Sequence, residues 1–95
     1  MRHTHNDCPI AQTAKLIGDT WVILVMRDLL MRPARFCELE RSLNGISTRT
    51  LTIKLKLLEA EGFITKKELY YSTTAKGKAL ASMIKTLESF GKKYF

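Results

Sequence analysis

No apolar run in this 95-residue chain approaches the roughly 18 residues that a bilayer-spanning helix needs. The opening MRHTHNDCP is polar and lacks the apolar centre of a secretion signal, so a membrane or exported protein is not expected. The two cysteines, Cys8 and Cys37, stand far apart, and in this setting they read as reduced thiols of a cytosolic protein. Both histidines, His3 and His5, fall at the very start of the chain. No Ser/His/Asp or Cys/His set, phosphate-binding loop or carboxylate pair can be assembled, and an enzyme is not expected. His3, His5 and Cys8 do form H-x-H-x-x-C, but that spacing matches no structural zinc pattern. A loose tail is the plainer reading of residues 1–7, and neither metal nor cofactor is expected. There is no internal repeat, low-complexity segment or linker. Residues 1–95 therefore read as one domain, small enough for self-association to be expected.

Negative charge is also scarce. Sixteen Lys and Arg face nine Asp and Glu, for a formal charge of +7. The excess is uneven: residues 1–45 carry six basic and five acidic groups, residues 46–95 ten and four. A polyanionic partner such as double-stranded DNA fits this distribution, although a merely solvated basic surface would produce the same numbers.

What is present is organised around residues 47–61, STRTLTIKLKLLEAE. Gly45 breaks the chain before it, Ser47 is placed to cap a helix, and Ile46 and Leu51 have the spacing of a hydrophobic staple. Leu51, Leu55 and Leu58 recur as one buried stripe. Arg49, Thr52, Ile53 and Lys56 then point the other way, a face of two cations, a hydroxyl and a branched methyl group with no acid. Such groups reach phosphates and base edges in a major groove. An ordinary solvated face beside a core stripe is the alternative from this helix alone.

The neighbours decide between them. Cys8-Pro9 reads as a helix start, with Cys8 or Asp7 as cap, for a helix to about residue 17 that buries Ile10, Ala14 and Ile17. Asp19 caps a second helix, apolar nearly all round and hence central, whose Trp21, Val22, Val25 and Leu29 face the core before Arg32-Pro33 stops it. A third spans residues 35–43 on Phe36, Leu39 and Leu43, and only Asn44-Gly45-Ile46 separates it from the 47–61 helix. That is the helix-turn-helix pattern. Gly62 is placed to end the 47–61 helix in the left-handed conformation. Two β-prone runs follow, 63–66 and 69–73, with Lys67-Glu68 between them; Tyr70 and Tyr71 alternate, one outward and one inward. Thr74 caps a last helix to residue 95, striped by Leu80, Met83, Ile84, Leu87, Phe90 and Tyr94. At 1.5 Å per residue it would span roughly 30 Å, more than so small a domain can cover, so part of its stripe is expected to meet a second chain. The fold class is thus mainly α with a small hairpin wing: a winged helix-turn-helix of about five helices and two to three short strands.

Cys8-Pro9-Ile10, Ile17-Gly18-Asp19-Thr20-Trp21, Leu24, Arg27-Asp28-Leu29-Leu30, Arg35-Phe36 and Glu38-Leu39 together resemble the HxlR-type transcriptional regulators. So do Gly45-Ile46-Ser47, Arg49-Thr50-Leu51-Thr52, Leu55, Leu58-Glu59, Gly62, Tyr71-Ser72, Thr74, Lys76-Gly77 and Leu80. The resemblance implies a MarR-like winged-helix regulator, homodimeric on an inverted-repeat operator, with residues 8–17 and 74–95 forming the interface through Ile10, Leu80, Ile84, Leu87 and Phe90. It implies that Ser47, Thr48, Arg49, Thr52, Ile53 and Lys56 meet the major groove, while Lys66 and Lys67 reach phosphates. It also implies a possible sensor thiol at Cys8, since some members resembling this chain detect oxidants or electrophiles there and the helix dipole favours thiolate. Cys37 reads as a core filler, and Lys76 and Lys78 as further phosphate contacts near the wing. The wing departs from the family by being several residues short, without Gly or Asn for a tight turn. A winged helix serving protein–protein contact is the alternative function. Nothing in the residues names the effector.

Overall fold

The computed structural model describes residues 8–95. The reading of His3, His5 and Asp7 lies outside them. Helix α1 (Pro9–Ile17) begins with Cys8 as N-cap and Pro9 in its first turn, and α2 (Thr20–Met31) follows, capped by Asp19, whose Oδ1 accepts the Val22 N–H at 3.1 Å. Strand β1 (Ala34–Arg35) leads directly into α3 (Phe36–Ser42), and α4 (Thr48–Ala60) is the expected 47–61 helix, its Ser47 Oγ accepting the Thr50 N–H at 3.0 Å. Strands β2 (Ile64–Lys67) and β3 (Tyr70–Thr73) form the wing, followed by the single turn α5 (Ala75–Lys78) and α6 (Ala81–Tyr94). This is the winged helix anticipated.

Helix α2 is the hub. Its Val22, Val25, Met26 and Leu29 are sealed from solvent, and α1, α4, β3, α5 and α6 all pack on it. The α4 stripe Leu51, Leu55 and Leu58 completes the core with Leu39, Leu43, Ile46, Ile64, Tyr71 and Leu80. Gly45 and Gly62, at φ of +94° and +83°, allow the chain to reverse on either side of α4 at positions where a side chain is strained.

The third strand allowed for is found, and four expectations change. The sheet has a two-residue strand, β1, paired antiparallel to β3 through Ala34 with Tyr71 and Arg35 with Tyr70; the order is β1-β3-β2. The third helix accordingly starts one residue late, its Arg35 N–H donating to Glu38 Oε1 at 2.8 Å. The hairpin turn is Glu68-Leu69, one residue further on than Lys67-Glu68, because Lys67 pairs with Tyr70 and Glu68 takes a φ of +57°. Ile10 is 80% exposed and Ala14 is exposed too, so the α1 stripe is not buried within the chain; Leu16 packs on the core instead. The last helix breaks between residues 78 and 81, where the Leu80 N–H bonds to the Gly77 carbonyl at 3.0 Å in a tighter turn. That break turns Leu80 inward, leaving it 6% exposed, so it belongs to the chain's own core rather than to a partner surface.

Gly77 is where α5 touches the wing. A Cβ there would stand 2.1 Å from the Phe63 carbonyl oxygen and 3.2 Å from Met26 Cε, and that carbonyl already accepts the Thr74 N–H at 3.1 Å. Gly77→Ala is therefore expected to destabilise by about 2–3 kcal/mol or more. At 4–8 °C per kcal/mol for a domain of this size, the melting temperature should fall by roughly 10 °C or more. An unchanged melting curve would contradict this packing.

Candidate nucleic-acid interface

With Leu51, Leu55 and Leu58 buried, the helical period turns Arg49, Ile53, Lys56 and Ala60 to solvent. Arg49 and Lys56 are exposed and have no hydrogen-bond or ion-pair partner among the described residues. Ile53, between them, is 49% exposed, and Leu57 on the flank is 42% exposed. Thr52 is half-buried and its hydroxyl donates to the Thr48 carbonyl at 2.8 Å. The Thr48 hydroxyl donates to Glu40 Oε2 on α3, and the Ser47 hydroxyl donates to Thr50 Oγ1 at 2.9 Å. The start of α4 is thus tied to α3 and to itself by its hydroxyls, while Arg49 and Lys56 stay free among the described residues.

On the wing, Lys66 and Lys67 are exposed, and Lys66 lies 5.3 Å from the centre of the Tyr71 ring with which it is paired across the strands. Tyr71 is 7% exposed and Tyr70 47%, the alternation expected. Lys76 is not a free phosphate ligand: its Nζ donates to the Glu61 carbonyl at 2.6 Å and sits 4.5 Å from the centre of the Phe63 ring. It therefore closes the C-terminal end of α4, where a cation complements the helix dipole. Cys37 is exposed rather than a core filler, because two residues before Leu39 puts it about 200° round the helix from the buried face. Cys8 is half-buried, and its side chain makes no capping hydrogen bond. Beside it, Pro9, Ile10, Thr13, Ala14 and Ile17 form an apolar groove with Met83 of α6, and Leu87 and Phe90 extend the exposed apolar surface along α6.

One residue that orients α4 was not singled out from the sequence. Lys54 Nζ meets Asp19 Oδ2 at 2.6 Å, joining the flank of α4 to the α1–α2 junction 35 residues away. Partial burial by itself would raise the Asp19 carboxyl, but the Lys54 ammonium and the Val22 and Trp21 backbone N–H groups outweigh it and hold the pKa below its ordinary value. The unfolded value is about 3.9, so this stabilisation is complete above that pH and is lost as acidification passes through the lower folded pKa. Asp19→Ala, which removes the cap and the ion pair, should cost about 1–2 kcal/mol at pH 7. Urea unfolding at neutral pH and in acid should show the gap narrowing below about pH 4. A gap independent of pH would contradict the charged pairing.

Residues 16–95 match the family described as HxlR-like helix-turn-helix. The HTH-type transcriptional regulator sll1512 of Synechocystis is 33% identical over 96 aligned positions that cover 93% of this chain and 70% of that protein. Among solved structures, quinone-bound YodB from B. subtilis superimposes with a TM-score of 0.84 at 27% identity, over 92% of this chain and 99% of that one. The redox regulator HypR in its oxidized form gives a TM-score of 0.85 at 26% identity, over 93% and 98%. On its sequence match and its winged-helix architecture, the chain belongs to the HxlR-like helix-turn-helix family of transcriptional regulators.

Proposed function

We propose that this chain is a sequence-specific DNA-binding transcriptional regulator that works as a two-fold homodimer on an inverted-repeat operator. The observation that carries the reading is the outer face of α4: two cations, unpartnered among the described residues, around an exposed Ile53, with no carboxylate among Arg49, Thr52, Ile53 and Lys56. An apolar or acidic face would favour a protein partner instead. In this reading Ser47, Thr48, Arg49, Thr52, Ile53 and Lys56 enter the major groove, and Lys66 and Lys67 hold phosphates beside it. The exposed Ile10, Leu87 and Phe90, with half-buried Ile84, supply the face that a second copy covers. Two copies of α4 then meet successive major grooves roughly 34–36 Å apart, which sets half-sites about 10 bp apart. The work is done where the DNA is, in the cytoplasm.

The two kinds of contact separate experimentally. Arg49→Ala should weaken binding to the selected site by about 1–3 kcal/mol if Arg49 pairs with a guanine. Lys66→Ala should weaken all sequences alike and lower the slope of log K against log salt by about one unit. Anisotropy titrations of both variants on specific and random duplexes decide the matter. Equal effects of both substitutions on both duplexes would remove α4 from recognition.

A second reading adds regulation at Cys8. It is supported by the half-buried Cys8 thiol beside the α1–α6 groove and by the likeness to a quinone-bound and an oxidised regulator. Modification there would disturb the groove that α1 forms with Met83 of α6, and so the separation of the two α4 helices. Mild peroxide or a quinone should change DNA affinity of the wild type and leave Cys8→Ser unaffected. The same response from both proteins would exclude Cys8.

A further inference from the structure

The hydrogen bonds at the start of α4 change what its outer face can read. The sequence offers Ser47, Thr48 and Thr52 as hydroxyl donors to base edges. In the fold each of those protons is already committed: Ser47 to Thr50 Oγ1, Thr48 to Glu40 and Thr52 to the Thr48 carbonyl. The cations Arg49 and Lys56 on this face have no partner among the described residues. Between them, four residues after Arg49 and three before Lys56, stands Ile53, half exposed and turned away from the core stripe. Thr52, with its hydroxyl bonded back to the helix, adds a methyl group to the same face, and Leu57 extends it.

An apolar spot flanked by cations fits a polyanion that carries an apolar group of its own. The major groove of DNA offers one such group on its bases, the C5-methyl of thymine, which 5-methylcytosine reproduces. We propose that Ile53 is a specificity-determining residue that packs on a pyrimidine C5-methyl in each half-site, with Arg49 and Lys56 fixing the register on either side. The proposal rests on the DNA-reading function above and names the group that α4 recognises.

The test starts from duplexes with a random core of about 20 bp, long enough for two half-sites roughly 10 bp apart. The enriched duplex is resynthesised with each thymine replaced singly by deoxyuridine, which removes only the methyl, and titrated at fixed salt. One thymine per half-site should be sensitive, its replacement weakening binding about fourfold, the equivalent of one buried methyl-sized group. Ile53→Ala should bind the thymine and deoxyuridine forms of that duplex equally, while melting like the wild type. Deoxycytidine at the sensitive position should bind more weakly than 5-methylcytidine, which distinguishes the methyl from the rest of the base. If no thymine is sensitive, or if Ile53→Ala keeps the full deoxyuridine effect, Ile53 does not read a methyl although the protein still reads DNA. If no sequence is enriched, the DNA-reading function itself fails, and this inference with it.

Discussion

The burial of one leucine stripe on α4 sets everything else. Leu51, Leu55 and Leu58 are sealed against the α2-centred core, each contributing about 1.5–3 kcal/mol relative to exposure. A helix has one rotational degree of freedom about its axis, and burying three leucines at i, i+4 and i+7 removes it. Whatever lies opposite must then face outward, so Arg49, Ile53 and Lys56 are presented without any interaction of their own. The core also explains why local contacts can be modest. The Ser47 cap defines where α4 begins, Gly62 where it ends, and the Asp19–Lys54 pair resists residual rolling from the flank.

The molecule has two unlike exposed regions. Exposed cations lie on α4 and the wing, while exposed apolar side chains lie on α1 and along α6. The basic excess of residues 46–95 supports an electrostatic approach to a polyanion that salt will weaken. The apolar face is of the kind a folded chain covers with another protein surface. Both regions rest on α2, since α1, α4 and α6 pack against that helix. A shift at the α1–α6 face therefore has a short route to α4. Asp19 stands on that route, as the cap of α2 and the partner of Lys54.

Features governed by local chemistry were legible in the sequence. Ser47, Asp19 and Thr74 cap the helices they precede, Gly45 and Gly62 take left-handed φ, and the period of the leucines identified both faces of α4. Features governed by distant contacts were not. Strand β1 is two residues long, too short for an alternating pattern, and exists because β3 offers it an edge. The break in the last helix follows from Gly77 lying against the Phe63 backbone and from Leu80 turning inward, neither visible in a continuous apolar stripe. Lys54 carried no signal of its own and Lys76 read as a phosphate contact; their partners, Asp19 and the Glu61 carbonyl, are 35 and 15 residues away. The hydroxyls of Ser47, Thr48 and Thr52 likewise looked available until their acceptors were seen.

In the proposed function α4, rather than the apolar α1–α6 face, meets DNA. Amide chemical-shift mapping of the nitrogen-15-labelled protein, titrated with a duplex from random-pool selection, tests it most directly. The largest shifts should cluster at residues 47–56, with smaller ones at Lys66 and Lys67, and the amides of α6 beyond Leu87 should stay in place. Shifts centred on Ile10, Leu87 and Phe90 with residues 47–56 unmoved would contradict it.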